Sequence, residues 1–303
     1  MKQVGERIKF IIAVVLYGTI GMFLRFVDLP SEAVAFYRGV IGVLFILLYR
    51  LARGERTDLK AMRQNLLWLV LSGIGLGFNW IFLFAAYVNT TVAIASLCNY
   101  MAPIIVIILT PLVLKEKLDN RKLPCIAAAL VGIVLVSGII GGNVGSPLGI
   151  VYGLAGACCF AGIVFCNRRM RDISAMDRAT AQLALSAITV LPYMLIRSGG
   201  KIPLPDLRSG LIVLMLGLLQ TGVAYCLYFS GMAKLPVQTF AILGYLEPVV
   251  SVLCSVIFLR EPLGWAGWLG AALIISAAAV SELLPEKRQE NTPETDPDIT
   301  ASA

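Results

Sequence analysis

The sequence contains no histidine, and only 14% of its 303 residues are charged. The lack of histidine excludes any mechanism that needs an imidazole as base, proton relay or metal ligand. Soluble globular proteins have about a quarter of their residues charged, so this chain belongs to another class. It also lacks a glycine-rich phosphate loop ending in Lys-Ser or Lys-Thr and a GxSxG nucleophile motif. We therefore expect a protein that is not an enzyme and that needs no cofactor.

The seven cysteines all lie in or beside apolar segments, and no pair of them has the spacing of metal ligands. Their number is odd, which does not suit a complete set of disulfides. A free cysteine behaves as a small hydrophobic residue. We expect buried thiols here and no metal site.

Hydrophobic residues make up 58% of the chain and are gathered in long blocks separated by short polar joins. A helix needs about 20 apolar residues to cross a bilayer. Ten blocks approach or reach this length: residues 8–27, 33–51, 65–88, 90–113, 121–141, 147–167, 178–197, 209–233, 236–259 and 264–284. The sequence therefore predicts an all-α polytopic membrane protein with ten transmembrane helices. Residues 285–303 are polar and are predicted to form a disordered cytoplasmic tail.

The net charge of +7 comes from basic residues in the joins between the blocks, a distribution that indicates a membrane protein and no nucleic-acid partner. If the N-terminus is cytoplasmic, nineteen of the 25 Lys and Arg residues face the cytoplasm, five face outward, and Arg38 lies within a span. This bias predicts a multi-pass protein of the plasma (inner) membrane with both termini in the cytoplasm.

The chain repeats itself when it is shifted by 145 residues without a gap. The shift aligns Tyr100 with Tyr245, Pro103 with Pro248, and Glu116 with Glu261. Five spans per copy give the second copy the opposite orientation in the membrane, the inverted-repeat construction of many secondary transporters. We predict repeats at residues 1–143 and 144–284.

Three segments carry a resemblance to a known family: LEPVVSVLCSVIFLRE at 246–261, its weaker copy YMAPIIVIILTPLVLKE at 100–116, and FYRGVIGVLFILL at 36–48. The chain resembles the EamA family of the drug/metabolite transporter (DMT) superfamily. The resemblance implies ten helices in two five-helix repeats around a cavity lined by spans 1, 3, 4, 6, 8 and 9. One departure concerns Ala102, which stands in the first copy where the second has Glu247.

Glu247 is the acid that the sequence places deep inside a span, next to Pro248. Such acids are costly in a bilayer and usually have a function, here proton coupling or binding of a substrate cation. The alternative is a structural acid, held by neighbouring hydroxyl and amide groups, at the bend that a proline produces. Pro103 and Pro248 are predicted to bend their helices at matching depth.

Arg38 lies about five residues inside the second span. It either extends toward the interface as an anchor near Asp28 and Glu32, or faces the bundle to bind a substrate carboxylate or to pair with Glu247.

Further polar and aromatic residues are candidates for the wall of a substrate cavity, or for hydrogen bonds that hold the bundle together. They are Tyr17, Asn79, Trp80, Asn99, Tyr100, Gln220, Thr221, Tyr225, Gln238 and Tyr245. Gly73 and Gly77 in the third span are predicted to permit close helix contact.

Together these features predict a secondary transporter of small organic metabolites that works by alternating access, with efflux of amino acids or related metabolites and drugs as the first expectation. Uptake of a vitamin or a nucleotide-like metabolite is the alternative within the same class. A lipid-handling or purely structural membrane protein is the alternative from another class. The expected partners are a small-molecule substrate, the lipid bilayer and protons as coupling ion, in a monomer or a homodimer.

Overall fold

The computed structural model describes residues 2–55, 57–113, 120–136, 146–228, 243–244 and 246–284, and these residues form helices joined by short turns. The helices are α1 Lys2–Gly18, α2 Ile20–Leu24, α3 Ser31–Ala52, α4 Leu59–Gln64, α5 Leu66–Asn89, α6 Val92–Asn99, α7 Ala102–Val113, α8 Leu123–Val136, α9 Pro147–Arg169, α10 Ala175–Arg197, α11 Leu207–Gly217, α12 Leu246–Ile257 and α13 Trp265–Leu283. A π-helix, Leu218–Val223, follows α11 directly. The predicted all-α polytopic class is confirmed.

Seven helical segments are long and apolar enough to cross a membrane. They are Gly5–Leu24, Ser31–Ala52, Leu66–Asn89, Val92–Val113, Pro147–Arg169, Ala175–Arg197 and Leu207–Tyr228. Three shorter apolar helices, Leu123–Leu135, Leu246–Ile257 and Trp265–Val280, lie within the predicted fifth, ninth and tenth spans. The count of ten stays a prediction, because the fifth and ninth predicted spans continue into residues outside the described ranges. The predicted tail, 285–303, also lies outside them.

The central helix, α5, packs against α9 on one side and α10 on another. Small residues on α5 make these contacts close. A methyl group added at Gly73 would collide with Leu185 of α10, and one at Gly77 would lie 3.1 Å from the carbonyl oxygen of Ser186. This confirms the packing role predicted for both glycines, since glycine lets two helix backbones approach in a bilayer.

Three of the membrane-length segments are not continuous α-helices. The first is interrupted at Thr19, between α1 and α2, and the fourth at Tyr100 and Met101, between α6 and α7, with Pro103 on the first turn of α7. The seventh, Leu207–Tyr228, changes to π-helix at Leu218. Irregular backbone at membrane depth is tolerated where it is enclosed by protein or lines a cavity. We therefore expect a functional site close to these interruptions.

The helices α3 and α10 run antiparallel and are joined by an ion pair at each end. At the end where the first span begins, here called the proximal end, Arg50 Nη2 lies 2.7 Å from Asp177 Oδ1. At the opposite, distal end, Arg197 Nε lies 3.7 Å from Glu32 Oε1. Each acid occupies the first turn of its helix and each arginine the last turn, where the helix dipole also favours that charge.

Candidate functional site

Arg38 of α3 is buried inside the bundle, with 4% of its surface exposed. Its Nε donates a hydrogen bond of 2.7 Å to Thr221 Oγ1. The guanidinium carbon lies 4.5 Å from the centre of the Trp80 ring and 5.8 Å from that of Phe84. The structure thus places the side chain away from Asp28 and Glu32 and decides against an interface anchor. A cation on an aromatic face in a desolvated place is favourably held.

The two terminal nitrogens of Arg38 have no hydrogen-bond partner within the described ranges, because its one such bond uses Nε. A guanidinium offers five N–H donors in a planar fork that matches a carboxylate. Four of these donors lie on the terminal nitrogens and take no part in the bond to Thr221.

Thr221 and Gln220 lie in the π-helix that follows α11. The Thr221 hydroxyl donates to Leu216 O at 3.1 Å while it accepts from Arg38. The Gln220 amide donates to Thr19 Oγ1 at 2.6 Å, and its Oε1 is buried without a hydrogen-bond partner among the residues described. A π-turn inside an α-helix occurs often at functional sites. Here it contributes both an oriented hydroxyl and an unused acceptor.

An aromatic group surrounds the interruption in the first span. The Tyr17 ring lies 6.0 Å from that of Tyr225 in an edge-to-face arrangement and 5.8 Å from that of Tyr228. Tyr228 in turn lies 5.2 Å from Phe10. Edge-to-face and tilted contacts at these distances are favourable aromatic packing. Tyr17 and Tyr225 are therefore brought together, as a shared cavity wall requires.

Glu247 stands on the first turn of α12, next to Pro248. Its carboxyl group interacts electrostatically with the side chain of Tyr100, in the interruption between α6 and α7. Its charge also acts on Arg38, although neither side chain forms a direct ion pair within the described part of the chain. The first span passes close by, because a methyl group added at Gly18 would lie 2.7 Å from the carbonyl oxygen of Glu247.

Asn79 and Asn99 are hydrogen-bonded to each other, and their side chains make no contact with Arg38 among the described residues. The Asn79 amide donates to Asn99 Oδ1 at 3.1 Å and to the carbonyl oxygen of Gly156 at 2.8 Å. These bonds join α5, α6 and α9, as the packing alternative for such residues requires. Trp80 differs, since its ring is the face on which Arg38 rests.

Two predicted site residues, Gln238 and Tyr245, lie outside the described residues. Three hydroxyls that the sequence analysis missed form a buried chain instead. Tyr87 OH lies 3.2 Å from Ser96 Oγ, which lies 2.5 Å from Ser251 Oγ on α12. Thr19, the partner of Gln220, was also missed. Serine and threonine are ordinary residues in membrane helices, so only the structure could single these out. Within the described ranges, no group of histidine, cysteine or acid residues could hold a metal ion.

The sequence profile described as the EamA-like transporter family matches residues 7–138 and, a second time, residues 147–282. The chain is 28% identical over 279 residues to the uncharacterized transporter YxxF of Bacillus subtilis, covering 90% of this chain and 88% of the relative. It is also 28% identical over 243 residues to the aromatic amino acid exporter YddG of Ancylobacter novellus, covering 78% of this chain and 82% of the exporter.

A solved crystal structure superimposes on the protein with a TM-score of 0.64 and 24% sequence identity, covering 92% of this chain and 98% of the other. At that identity the likeness establishes the fold alone. It agrees with a helical bundle that extends over nearly the whole chain.

Proposed function

This chain belongs to the EamA-like transporter family, and we propose that it is a secondary transporter of small organic metabolites, with amino acid efflux as its activity. The observation that carries the proposal is the placement of Arg38 and Glu247. Arg38 is buried against the Trp80 ring, and Glu247 lies within electrostatic reach of it without a direct ion pair in the described part of the chain.

Such a site suits a zwitterion. Four donors of Arg38 are available for a carboxylate, and Glu247 can accept from an ammonium group. Trp80, Tyr17 and Tyr225 offer apolar faces to the rest of the solute. A residue that supplies both apolar area and a polar tip is well suited to hold an amphipathic molecule. The similarity to an aromatic amino acid exporter supports this solute class.

For the transport cycle, we propose alternating access by two inverted five-helix repeats, residues 1–143 and 144–284, in a plasma membrane with both termini cytoplasmic. The two separate matches to one family profile support the repeats. The interrupted helices support movement at the site, because they provide points where half-helices can change direction. Pro103 and Pro248 are proposed to set two of these points.

For energy coupling, we propose that Glu247 binds and releases a proton. Its carboxyl group interacts electrostatically with Tyr100, in the interruption between α6 and α7, so a change in the charge of that group acts on α12 and on this interruption. Glu247→Gln keeps the size and one carbonyl acceptor. It should retain solute exchange and lose uphill transport driven by a pH difference, and uphill transport at the parental rate would contradict this role.

The decisive experiment is counterflow into proteoliposomes with a panel of labelled solutes. We expect exchange of zwitterionic amino acids and none of their amide- or N-acetyl-blocked forms. Arg38→Gln should lower exchange by about tenfold or more, the equivalent of one lost charge-assisted hydrogen bond. Arg197→Gln, at an exposed arginine, is the matched control and should exchange like the parent.

The same panel separates the other candidate functions. Exchange of vitamins or nucleotide-like anions, without exchange of zwitterions, would mean that the substrate is an anionic metabolite rather than an amino acid. Arg38 alone would then bind its charge. No exchange of any solute by folded protein would remove the transporter proposal and leave a lipid-handling or structural role.

A further inference from the structure

Arg25 and Glu261 meet at the distal end of the bundle, although they lie 236 positions apart in the sequence. Arg25 Nη2 lies 2.7 Å from Glu261 Oε1 and also donates to the carbonyl oxygen of Thr90 at 2.6 Å. The second carboxylate oxygen, Oε2, accepts from the backbone N–H of Val92 at 2.8 Å and from Ser255 Oγ at 2.5 Å. One guanidinium and one carboxylate therefore join three separate parts of the chain.

These three parts are the elements that carry the candidate site. Arg25 ends α2, which begins beyond the interruption that follows Tyr17. Thr90 lies in the turn between α5 and α6, and Val92 is the first residue of α6. Trp80 is on α5, and α6 ends next to Tyr100. Glu261 follows α12, which carries Glu247. The contact lies about 12 to 15 Å from Tyr100 and Glu247, measured by helical rise per residue.

We propose that Arg25 and Glu261 form the distal gate of the transport cycle, closed in this structure. The proposal rests on the transporter function argued above, and it adds the residues that close one end of the pathway. Opening requires α2 to move away from α12 and from the α5–α6 turn, and the interruption at Thr19 is where α2 can pivot.

The construction of the gate suits repeated opening. Glu261 is fixed to α12 by a hydrogen bond from its own N–H to Ser255 O at 3.1 Å, so it moves with that helix. The side chains of Arg25 and Glu261 are 31% and 15% exposed, which allows water to replace each contact when the elements separate. The buried pair between Arg50 and Asp177, at 6% and 5%, has no such access.

Val34 offers a position that reports whether this gate is open. It lies on α3 with 2% of its surface exposed and lines a small pocket together with Arg25, Phe84 and Tyr87. Cysteine is close to valine in size, so Val34→Cys should fold normally. A thiol reagent reaches it only after the elements above it separate.

The test measures the rate at which N-ethylmaleimide labels Cys at position 34 in purified protein in detergent. The labelled peptide is quantified by mass spectrometry, so the seven native cysteines can remain. Arg25→Gln and Glu261→Gln should each raise the rate by about tenfold, as expected when the open population rises by that factor. Glutamine at 261 keeps an acceptor for Val92, so the variant loses the charge rather than the helix cap.

Arg197→Gln is the control, because it removes an ion pair at the same end that takes no part in the gate. An unchanged rate in both gate variants would overturn the proposal, and so would an equal increase in all three, which would mean general loosening of that end. Labelling rates are compared at the same interval below the unfolding temperature of each variant, so that a difference in stability is not counted as opening. If the parent exchanges no solute but its labelling responds as described, the transport function fails, whereas the closure of the distal end by Arg25 and Glu261 is supported.

Discussion

The two ends of the helix pair α3 and α10 can be compared, because each end carries one ion pair. At the proximal end Arg50 and Asp177 lie 2.7 Å apart, and their side chains are 6% and 5% exposed. At the distal end Arg197 and Glu32 lie 3.7 Å apart, and Arg197 is 65% exposed. The charges are arranged alike, but the exposed fraction differs about tenfold between the two arginine side chains, while those of Asp177 and Glu32 are 5% and 13%.

The difference shows that burial, rather than the presence of opposite charges, decides what an ion pair does. An exposed pair exchanges protein contacts for water at little cost, and it is worth about 0 to 1 kcal/mol. A buried pair is costly to form, and loss of one partner leaves an unpaired buried charge. The proximal ends of α3 and α10 are therefore held together, whereas their distal ends are free to adjust.

The largest expected effect follows from replacing one of the two residues of the buried ion pair. Arg50→Met leaves Asp177 without its cation and should lower the free energy of unfolding by about 3 kcal/mol or more. Denaturant unfolding in detergent, with the parent in parallel, measures this. A loss below about 1 kcal/mol would show that water reaches Asp177 and that the two ends do not differ as described.

The second prediction concerns the contact midway along the helices α3 and α10. A methyl group at Gly39 of α3 would lie 3.2 Å from the Cβ of Ala187 on α10. Gly39→Leu should force the helices apart and cost about 1 to 3 kcal/mol. Gly39→Ala is the matched control with a much smaller loss, and equal unfolding midpoints for both variants would mean that the contact is loose.

Replacing both members of the buried pair sharpens the comparison. Arg50→Met with Asp177→Leu removes the charges together, so we expect stability within about 1 kcal/mol of the parent. The double variant should thus recover most of what the single variant loses. A double variant as unstable as Arg50→Met would assign the loss to packing of the arginine stem rather than to the unpaired acid.

The smallest effect belongs to the exposed pair. Arg197→Gln should change the free energy of unfolding by less than about 1 kcal/mol, and that small difference should vanish at about 1 M salt because exposed charges are screened. Unfolding curves at low and high salt measure both values. A loss comparable to that of Arg50→Met would abolish the distinction between the two ends.

The helical class was predictable because the length of an apolar block is a local property of the chain. The same holds for Gly73 and Gly77, whose spacing within one helix indicates a close contact. The partners of a side chain are not local. Asp177 is adjacent in sequence to Arg178 and reads as a residue of a polar join, yet it is buried against Arg50, 127 positions earlier.

Arg38 shows the same limit within the site. Its depth in the span permits either an interface anchor or a buried contact, and only the position of α3 against Trp80 and Thr221 decides between them. Thr19 carried no signal beyond its place two residues after Tyr17. Its importance comes from Gln220, 201 positions later, which donates to it.

The π-helix at Leu218–Val223 has a consequence for how its span can change. A π-turn contains one residue more than the α-turn it replaces, so the segment stores one residue of extra length. If that extra residue moved one turn along the span, the residues it passed would rotate by about 100° around the helix axis. Gln220 and Thr221 lie within the stored segment, so they could turn toward or away from Arg38 while both ends of the span stay in place.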